Sequence, residues 1–443
     1  MRNMKNVLII RYPIYPVRGG VGRHIIKFIK YLPENGWHPI VLTLATNKEL
    51  TSSTKKAISN HLLTVYMSPF VNPIKSLTDT FFYPGIRPKK QNQIYGEINK
   101  LVLNLRKWFM IPDALMWWIP FAIHTGITIA RKHNVDVIFS SAPRFSCHVV
   151  AESISKYLKI PWVAGFTDPW LPPSPESEIF TTYFPTPFHR QLNAYLEKKT
   201  ITSANKVVVD SEPIKRDFIK RYPNEPSDKF SVIRIGYDSE DFKDITPRKK
   251  RKGDKITIVH TGTFVGNRNP ITFLRALKLL IDTYPQIKNK LKVLFVGKSY
   301  LDLKSMVNNL GLDNFVEIIP QVSHKESLRY QLESDILLLI VASIKIYQFP
   351  DKIFEYLATG KPILALAVGH TKDADFLEKT GVGVVANFND IEQIAAKLKS
   401  LYERINTDNV SKPNWNMITQ YDFRQLTRRL AGVFNSLTDK PTS

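Results

Sequence analysis

The chain of 443 residues has a single cysteine, Cys147, and so can form neither an intramolecular disulfide nor a cysteine metal cluster. That favours a reducing compartment, the cytosol. No apolar run reaches the ~18 residues that a membrane-spanning helix needs. The opening stretch, MRNMKNVLIIRYPIYP, holds only a short apolar run broken by Arg11 and Pro13, and reads as a first strand rather than a signal peptide. Acidic residues are few beside basic ones, 39 against 62, which leaves a net charge of +23. Such an excess suits a polyanionic neighbour, nucleic acid or anionic lipid, although lysines that merely keep a protein soluble are the plainer reading. Nucleic-acid modules are missing too: there is no helix-turn-helix, no Cys and His at zinc spacing and no aromatic RNA-recognition strand. The expected partner is therefore an anionic membrane surface and not nucleic acid, with the protein peripheral on the inner face of the cell membrane.

What is present is enough for two α/β domains, since 43% of the residues are hydrophobic. Short apolar runs such as VLII (from Val7), WHPIVLTL (from Trp37) and VDVIFSS (from Val135) alternate with helical spacing, as buried parallel strands do. The rhythm lapses in TPRKKRKGDK, whose five consecutive basic residues Arg248 to Lys252 make a poor core and a good linker. It resumes with KITIVHTGTF, and six strand candidates follow in the second half. Residues 48 to 110 give no clear pattern. Met116, Trp117, Trp118, Ile119 and Phe121, flanked by Arg106, Lys107, Arg131 and Lys132, form either a core helix or an aromatic and cationic edge for a membrane interface.

Three loops draw attention. RGGVGRH places Gly19, Gly20 and Gly22 before a helix start, where backbone can approach an anion and Arg23 can add charge. Asp168 stands in FTDPW after a strand, as a turn residue or at the mouth of a ligand crevice. The stretch from Ile346 to Pro362, IYQFPDKIFEYLATGKP, starts a short helix near Pro350 and ends it at Gly360. Lys352 and Glu355, three apart, share one face of it. A cation, a carboxylate and free N–H groups together suit a nucleotide diphosphate, with Glu355 accepting from ribose hydroxyls; a solvated surface helix is the plainer alternative.

The segment FPDKIFEYLATGKP resembles the donor-site helix of glycosyltransferase family 4 enzymes of GT-B architecture, whose pattern is Glu, seven residues, Glu, then a small residue, Gly and Pro. Glu355 is the second Glu; Tyr347 occupies the place of the first. HTGTFVGNRNP is similar to the opening loop of the family's C-terminal domain, with Gly262 kept, Thr263 where Arg is usual and Arg268 where Lys is usual. PQVS, with Val322, resembles the segment whose backbone reads the base edge. The glycine loop resembles one that faces the donor phosphates. Asp168 lies beside Thr167, which falls where the family often has His. Asp373, Ala374 and Asp375 spell Asp-x-Asp, but at a helix start this needs no metal.

The resemblance implies two Rossmann-like domains, with parallel sheets facing an interdomain cleft: 1–240 on the acceptor side, 241–413 binding the donor, and a terminal helix over 414–443 crossing back. It implies a retaining hexosyltransferase, without metal or other cofactor, that moves a sugar from a nucleotide-diphosphate sugar, UDP-linked, to a hydroxyl of a lipid-linked or glycan acceptor in bacterial surface-polysaccharide (lipopolysaccharide-type) synthesis. Asp168, Arg268 and Lys352 are the expected catalytic residues. Gly19, Gly20, Gly22, Arg23, Gly262, Thr263, Arg268, Val322, Phe349, Pro350, Lys352 and Glu355 are the expected donor-binding residues. A sugar-nucleotide epimerase of the same fold and a non-catalytic membrane-associated scaffold are the alternatives.

Overall fold

A computed structural model describes residues 4–12, 23–45, 63–69, 110–171, 186–248, 254–341, 352–368 and 372–439. The chain divides into two compact units, one of residues 1–234 with 427–443 and the other of residues 235–426.

In the first unit the elements run β1 (Lys5–Ile10), α1 (Arg23–Tyr31), β2 (Trp37–Leu44), β3 (Thr64–Ser68), α2 (Ile119–Lys132), β4 (Val137–Ser141), α3 (Ser146–Leu158), β5 (Trp162–Phe166), α4 (Pro187–Ser203), β6 (Lys206–Val209), α5 (Glu212–Arg221) and β7 (Phe230–Val232). All seven strands are parallel, in the order β3-β2-β1-β4-β5-β6-β7. Strands β1, β4 and β5 are buried almost throughout, as strands covered on both faces must be, whereas β3 at the edge buries only Ser68. That edge strand lies in the stretch where the sequence shows no clear pattern.

The second unit repeats the plan: β8 (Ile256–Thr261), α6 (Ile271–Thr283), β9 (Leu291–Val296), α7 (Leu303–Asn309), β10 (Val316–Ile319), α8 (His324–Glu333), β11 (Ile336–Ile340), α9 (Lys352–Ala358), β12 (Ile363–Ala367), α10 (Lys372–Lys379), β13 (Gly383–Asn387) and α11 (Ile391–Asn406). Its six strands are parallel, ordered β10-β9-β8-β11-β12-β13. The strand period of two sends Ile258, Leu338 and Leu364 to one face, against Leu277 of α6 and Leu398 of α11. Val259, Leu337 and Ile363 go to the other, against Ile353 and Leu357 of α9. Each sheet reverses its winding at one place, between β1 and β4 and between β8 and β11. Open α/β sheets hold ligands in the crevice beyond the strand ends at such a point.

The last helix, α12 (Phe423–Thr438), buries Phe423, Leu426, Leu430 and Phe434. Phe434 packs edge-on against Trp37 with ring centroids 5.3 Å apart and lies 5.6 Å from Phe139, and Trp37 Nε1 donates to Asn435 at 3.1 Å. The end of the helix thus completes the core beside β1, β2 and β4.

Candidate functional site

In the second unit the switch point is built by hydrogen bonds from side chains to strand ends. His260, on β8, donates from Nδ1 to the Leu338 carbonyl of β11 at 3.0 Å. Burial and the nearby charges of Lys352 and Arg268 lower its pKa to about 4, against the weaker pull of that bond, so the ring is neutral and Nε2 carries a lone pair. Tyr356, buried on α9, takes the Thr261 N–H on its hydroxyl at 2.8 Å. Beyond Thr261 the chain enters the loop of Gly262, Thr263 and Arg268. Gly297, at φ +140°, meets this loop so closely that a Cβ there would lie 1.9 Å from the Gly262 carbonyl oxygen, and no other residue fits. Phe264 N–H donates to Lys298 O at 3.0 Å and Tyr300 N–H to Phe264 O at 2.9 Å, pinning the two loops together. Arg268 is exposed and makes no ion pair among the described residues.

Glu355 is the centre of the arrangement. One carboxylate oxygen accepts from Lys352 Nζ at 2.6 Å and more weakly from Gln331 Nε2 at 3.4 Å, and the other from His324 Nε2 at 3.0 Å. Burial by itself would raise its pKa, but the Lys352 charge and the His324 hydrogen bond outweigh it and hold the carboxyl well below the usual range. The group is therefore a fixed acceptor at any ordinary pH. Gln331 is fully buried on α8, and its Oε1 has no partner among the described residues. Ser323 caps α8 by accepting from Glu326 N–H at 3.2 Å, and Val322 precedes it, half-buried.

In the first unit, Asp168 lies two residues beyond the end of β5, and the residue is exposed. Although the residue keeps solvent contact, crowding by neighbouring protein shifts its carboxyl pKa upward, against the weaker opposing charge of Arg11. A carboxylate of raised pKa at a strand mouth has the character of a general base.

Residues 18–241 match the family described as Glycosyltransferase Family 4, and residues 241–414 match Glycosyl transferases group 1. The chain belongs to glycosyltransferase family 4. Among solved structures it resembles a glycosyltransferase from Rickettsia africae, at 16% identity over 99% of this chain and 100% of that one, with a TM-score of 0.62. It also resembles HepE from Anabaena, solved with UDP, at 15% identity over 98% and 100% of the two chains and a TM-score of 0.62. A third is WaaG, a glycosyltransferase involved in lipopolysaccharide biosynthesis, at 15% identity, 98% and 100% coverage and a TM-score of 0.54. At these identities the likeness shows the fold, which is GT-B with two Rossmann-like units. No curated protein matches the chain by sequence.

Within this glycosyltransferase the structure joins Lys352 to Glu355 and brings the charge of Arg268 to His260, at the loop of Gly262 and Thr263. Gly19, Gly20, Gly22, Phe349, Pro350, Tyr347 and the Arg23 side chain lie outside the described residues. Of the tryptophan pair, Trp118 is fully buried and only Trp117 is exposed, at 41%. They sit in a tight turn, Met116–Trp118, before α2, where neighbouring side chains face opposite ways and one ring of the pair is exposed. His260, His324 and Gln331 are missing from the sequence reading. His260 ends an apolar strand and looks like its polar terminus; His324 and Gln331 lie on one face of α8 with nothing local to link them to Glu355.

Proposed function

We propose that this glycosyltransferase transfers a hexose, with retention of configuration, from a UDP-sugar to a hydroxyl of a lipid-linked or glycan acceptor in bacterial surface-polysaccharide synthesis. The observation that carries the reading is Glu355, kept ionised by Lys352 and His324 at the switch point of the second sheet. An acceptor so fixed suits the ribose hydroxyls of a nucleotide, and HepE, of the same fold, was solved with UDP and with UDP-glucose. Lys352 and Arg268 meet the diphosphate as its charge grows on departure, without a metal ion, and Gly262 and Thr263 let the backbone come close to it. Val322 lies on the donor side, and for Phe349, Pro350, Gly19, Gly20, Gly22 and Arg23 a donor-binding role is proposed from the family resemblance alone. The acceptor binds the first unit, where Asp168 orients or deprotonates the incoming hydroxyl.

The net charge of +23 and the exposed Trp117 support a resting place on the anionic inner leaflet, where a lipid-linked acceptor is met. Among the described residues no helix is long and apolar enough to cross a membrane. The test is release of nucleoside diphosphate from a panel of sugar nucleotides with and without a crude lipid acceptor. Acceptor-dependent release of UDP, with a new glycosidic bond in the product, is expected. An altered sugar on an intact nucleotide would instead identify an epimerase.

A further inference from the structure

Arg11 follows the last residue of β1 and is completely buried. Its Nη1 donates to the carbonyl oxygen of Ser141 at 2.9 Å and to the Ser141 hydroxyl at 3.2 Å, so the guanidinium ties the ends of β1 and β4 across the switch point of the first sheet. Its Nε and Nη2 have no partner among the described residues. A buried cation left with unpaired hydrogens costs several kcal/mol, and Ser141 brings no opposite charge. Burial lowers the Arg11 pKa only to about 10, so the guanidinium remains charged at neutral pH. Asp168 and Arg144 are near enough to act on it electrostatically, with opposite signs, and no carboxylate among the described residues is paired with it.

The surroundings add donors rather than acceptors. Trp162 Nε1 can only donate, and it does so to Ser140 Oγ at 2.8 Å. The hydroxyl's own hydrogen then goes to its one other partner, Nδ1 of the buried His148, at 2.7 Å. The proton of the neutral imidazole is left on Nε2, which is buried and has no partner among the described residues. His24, in the first turn of α1, also has a buried Nε2 without a partner among the described residues. Both rings are held neutral by burial and by the Arg11 charge, with pKa values lowered to about 3. Cys147, beside them, stays a thiol, its pKa pushed up to about 12, chiefly by burial. Asp113, whose charge acts on Cys147, is already occupied by the Ser146 and Leu115 N–H groups and the Ser146 hydroxyl. The ends of β1 and β4 therefore hold a fixed positive charge and spare N–H groups that the described residues do not satisfy. A planar guanidinium with two adjacent nitrogens free is the geometry that grips an oxyanion by two oxygens.

We infer that Arg11 is the anchor of an oxyanion-binding site in the first unit, which recognises a phosphate or carboxylate group carried by the acceptor. The assignment to the acceptor rests on the reading of Asp168 as an acceptor-side residue; the anion site itself rests on Arg11 alone. Specificity for an acidic acceptor then comes from directly pairing a buried charge that Asp168 offsets only from a distance, and a neutral acceptor leaves that charge without a paired oxyanion.

The experiment uses the full chain saturated with UDP, titrated with inorganic phosphate or with acetate at ionic strength held constant by chloride, and followed by calorimetry and thermal melting. Saturable binding of one or both anions is expected, and the arm that binds names the oxyanion. Arg11→Met should weaken it at least tenfold, and without anion it should melt no lower than the parent, because an apolar chain replaces a charge that lacks a partner. Absence of saturable binding to the parent would overturn the inference whether or not any variant folds, as would equal binding by parent and Arg11→Met. Failure of UDP to bind would count against the donor assignment only, since the Arg11-dependent part is read from the difference between parent and variant. In transfer assays the bound anion should raise the apparent KM for acceptor and leave that for the sugar nucleotide unchanged. The reverse pattern would move the site to the donor and overturn its assignment to the acceptor.

Discussion

Glu355→Gln separates a carboxylate that holds ribose from one that only holds its own helix. The side chain is 20% exposed and Lys352 26%, so their pair is partly screened and contributes no more than about 1 kcal/mol to stability. Gln keeps a carbonyl oxygen for His324 but turns an amide toward Lys352 and Gln331, which then face donor against donor. Lys352 can swing to water. The fold should survive with a small fall in Tm. Two hydroxyls that donate to a carboxylate behave differently: loss of a charged hydrogen bond costs about 1.5–3 kcal/mol, roughly ten- to over a hundredfold in affinity. The decisive assay is a cycle in which the parent and Glu355→Gln each bind UDP and its 2′-deoxy and 3′-deoxy analogues. If Glu355 takes a ribose hydroxyl, deleting that hydroxyl hurts the parent and hardly affects the variant, with a coupling energy of about 1.5 kcal/mol or more. Additive losses, with coupling near zero for both analogues, would show that Glu355 acts only on protein and would refute the ribose assignment.

Alanine at Arg268 or Lys352 should lower the single-turnover rate about tenfold or more while weakening UDP binding less, because the contact strengthens as the diphosphate departs; unchanged rates in both variants would place leaving-group stabilisation elsewhere. Asp168→Asn should abolish most transfer and spare donor affinity. In the parent, the rate should fall on the acid side through the raised pKa of Asp168, and a profile flat from neutral pH down through the ordinary carboxylate range would exclude it as the base. His24 and His148 have pKa values lowered to about 3 and His260 to about 4, so below the unfolded value of 6.5 the unfolded chain binds protons that the folded chain refuses. Stability then falls as pH falls, by about 3 kcal/mol in the first unit and about 1.5 kcal/mol in the second between pH 6.5 and 5, and urea midpoints that do not shift would contradict the burial of these rings. In vesicle flotation, binding should require anionic lipid and weaken with salt, and Trp117→Ala should reduce it; Trp118→Ala should instead cost about 3–5 kcal/mol of stability, and the opposite pattern would reverse which ring meets lipid.

The strands were legible because parallel strands covered on both faces are nearly unbroken apolar runs, and β8, β11 and β12 look like nothing else. Thr64–Ser68 was not, since an edge strand with one buried residue carries no such signal. The face shared by Lys352 and Glu355 follows from helical spacing, and the structure shows the pair in contact. What fixes Glu355 is not local: His324 and Gln331 come from a helix 24 to 31 residues earlier in the chain, and only packing of α8 against α9 reveals them. Arg11 is the sharpest case. In the sequence it is the polar residue that ends an apolar run, whereas in the fold it is as deeply buried as the valine and isoleucines before it.

The return of residues 427–439 to the first unit also bears on how the chain is made. On the ribosome, residues 1–234 emerge first, yet the Phe434 ring that packs on Trp37 and Phe139 is synthesised only after the whole second unit. At about 5–20 residues per second, the wait is on the order of 10–40 s. During that time an apolar patch beside β2 stays uncovered, so the nascent first unit is a natural client for a chaperone. A chain that stalls within the second unit leaves the first without its last core residue.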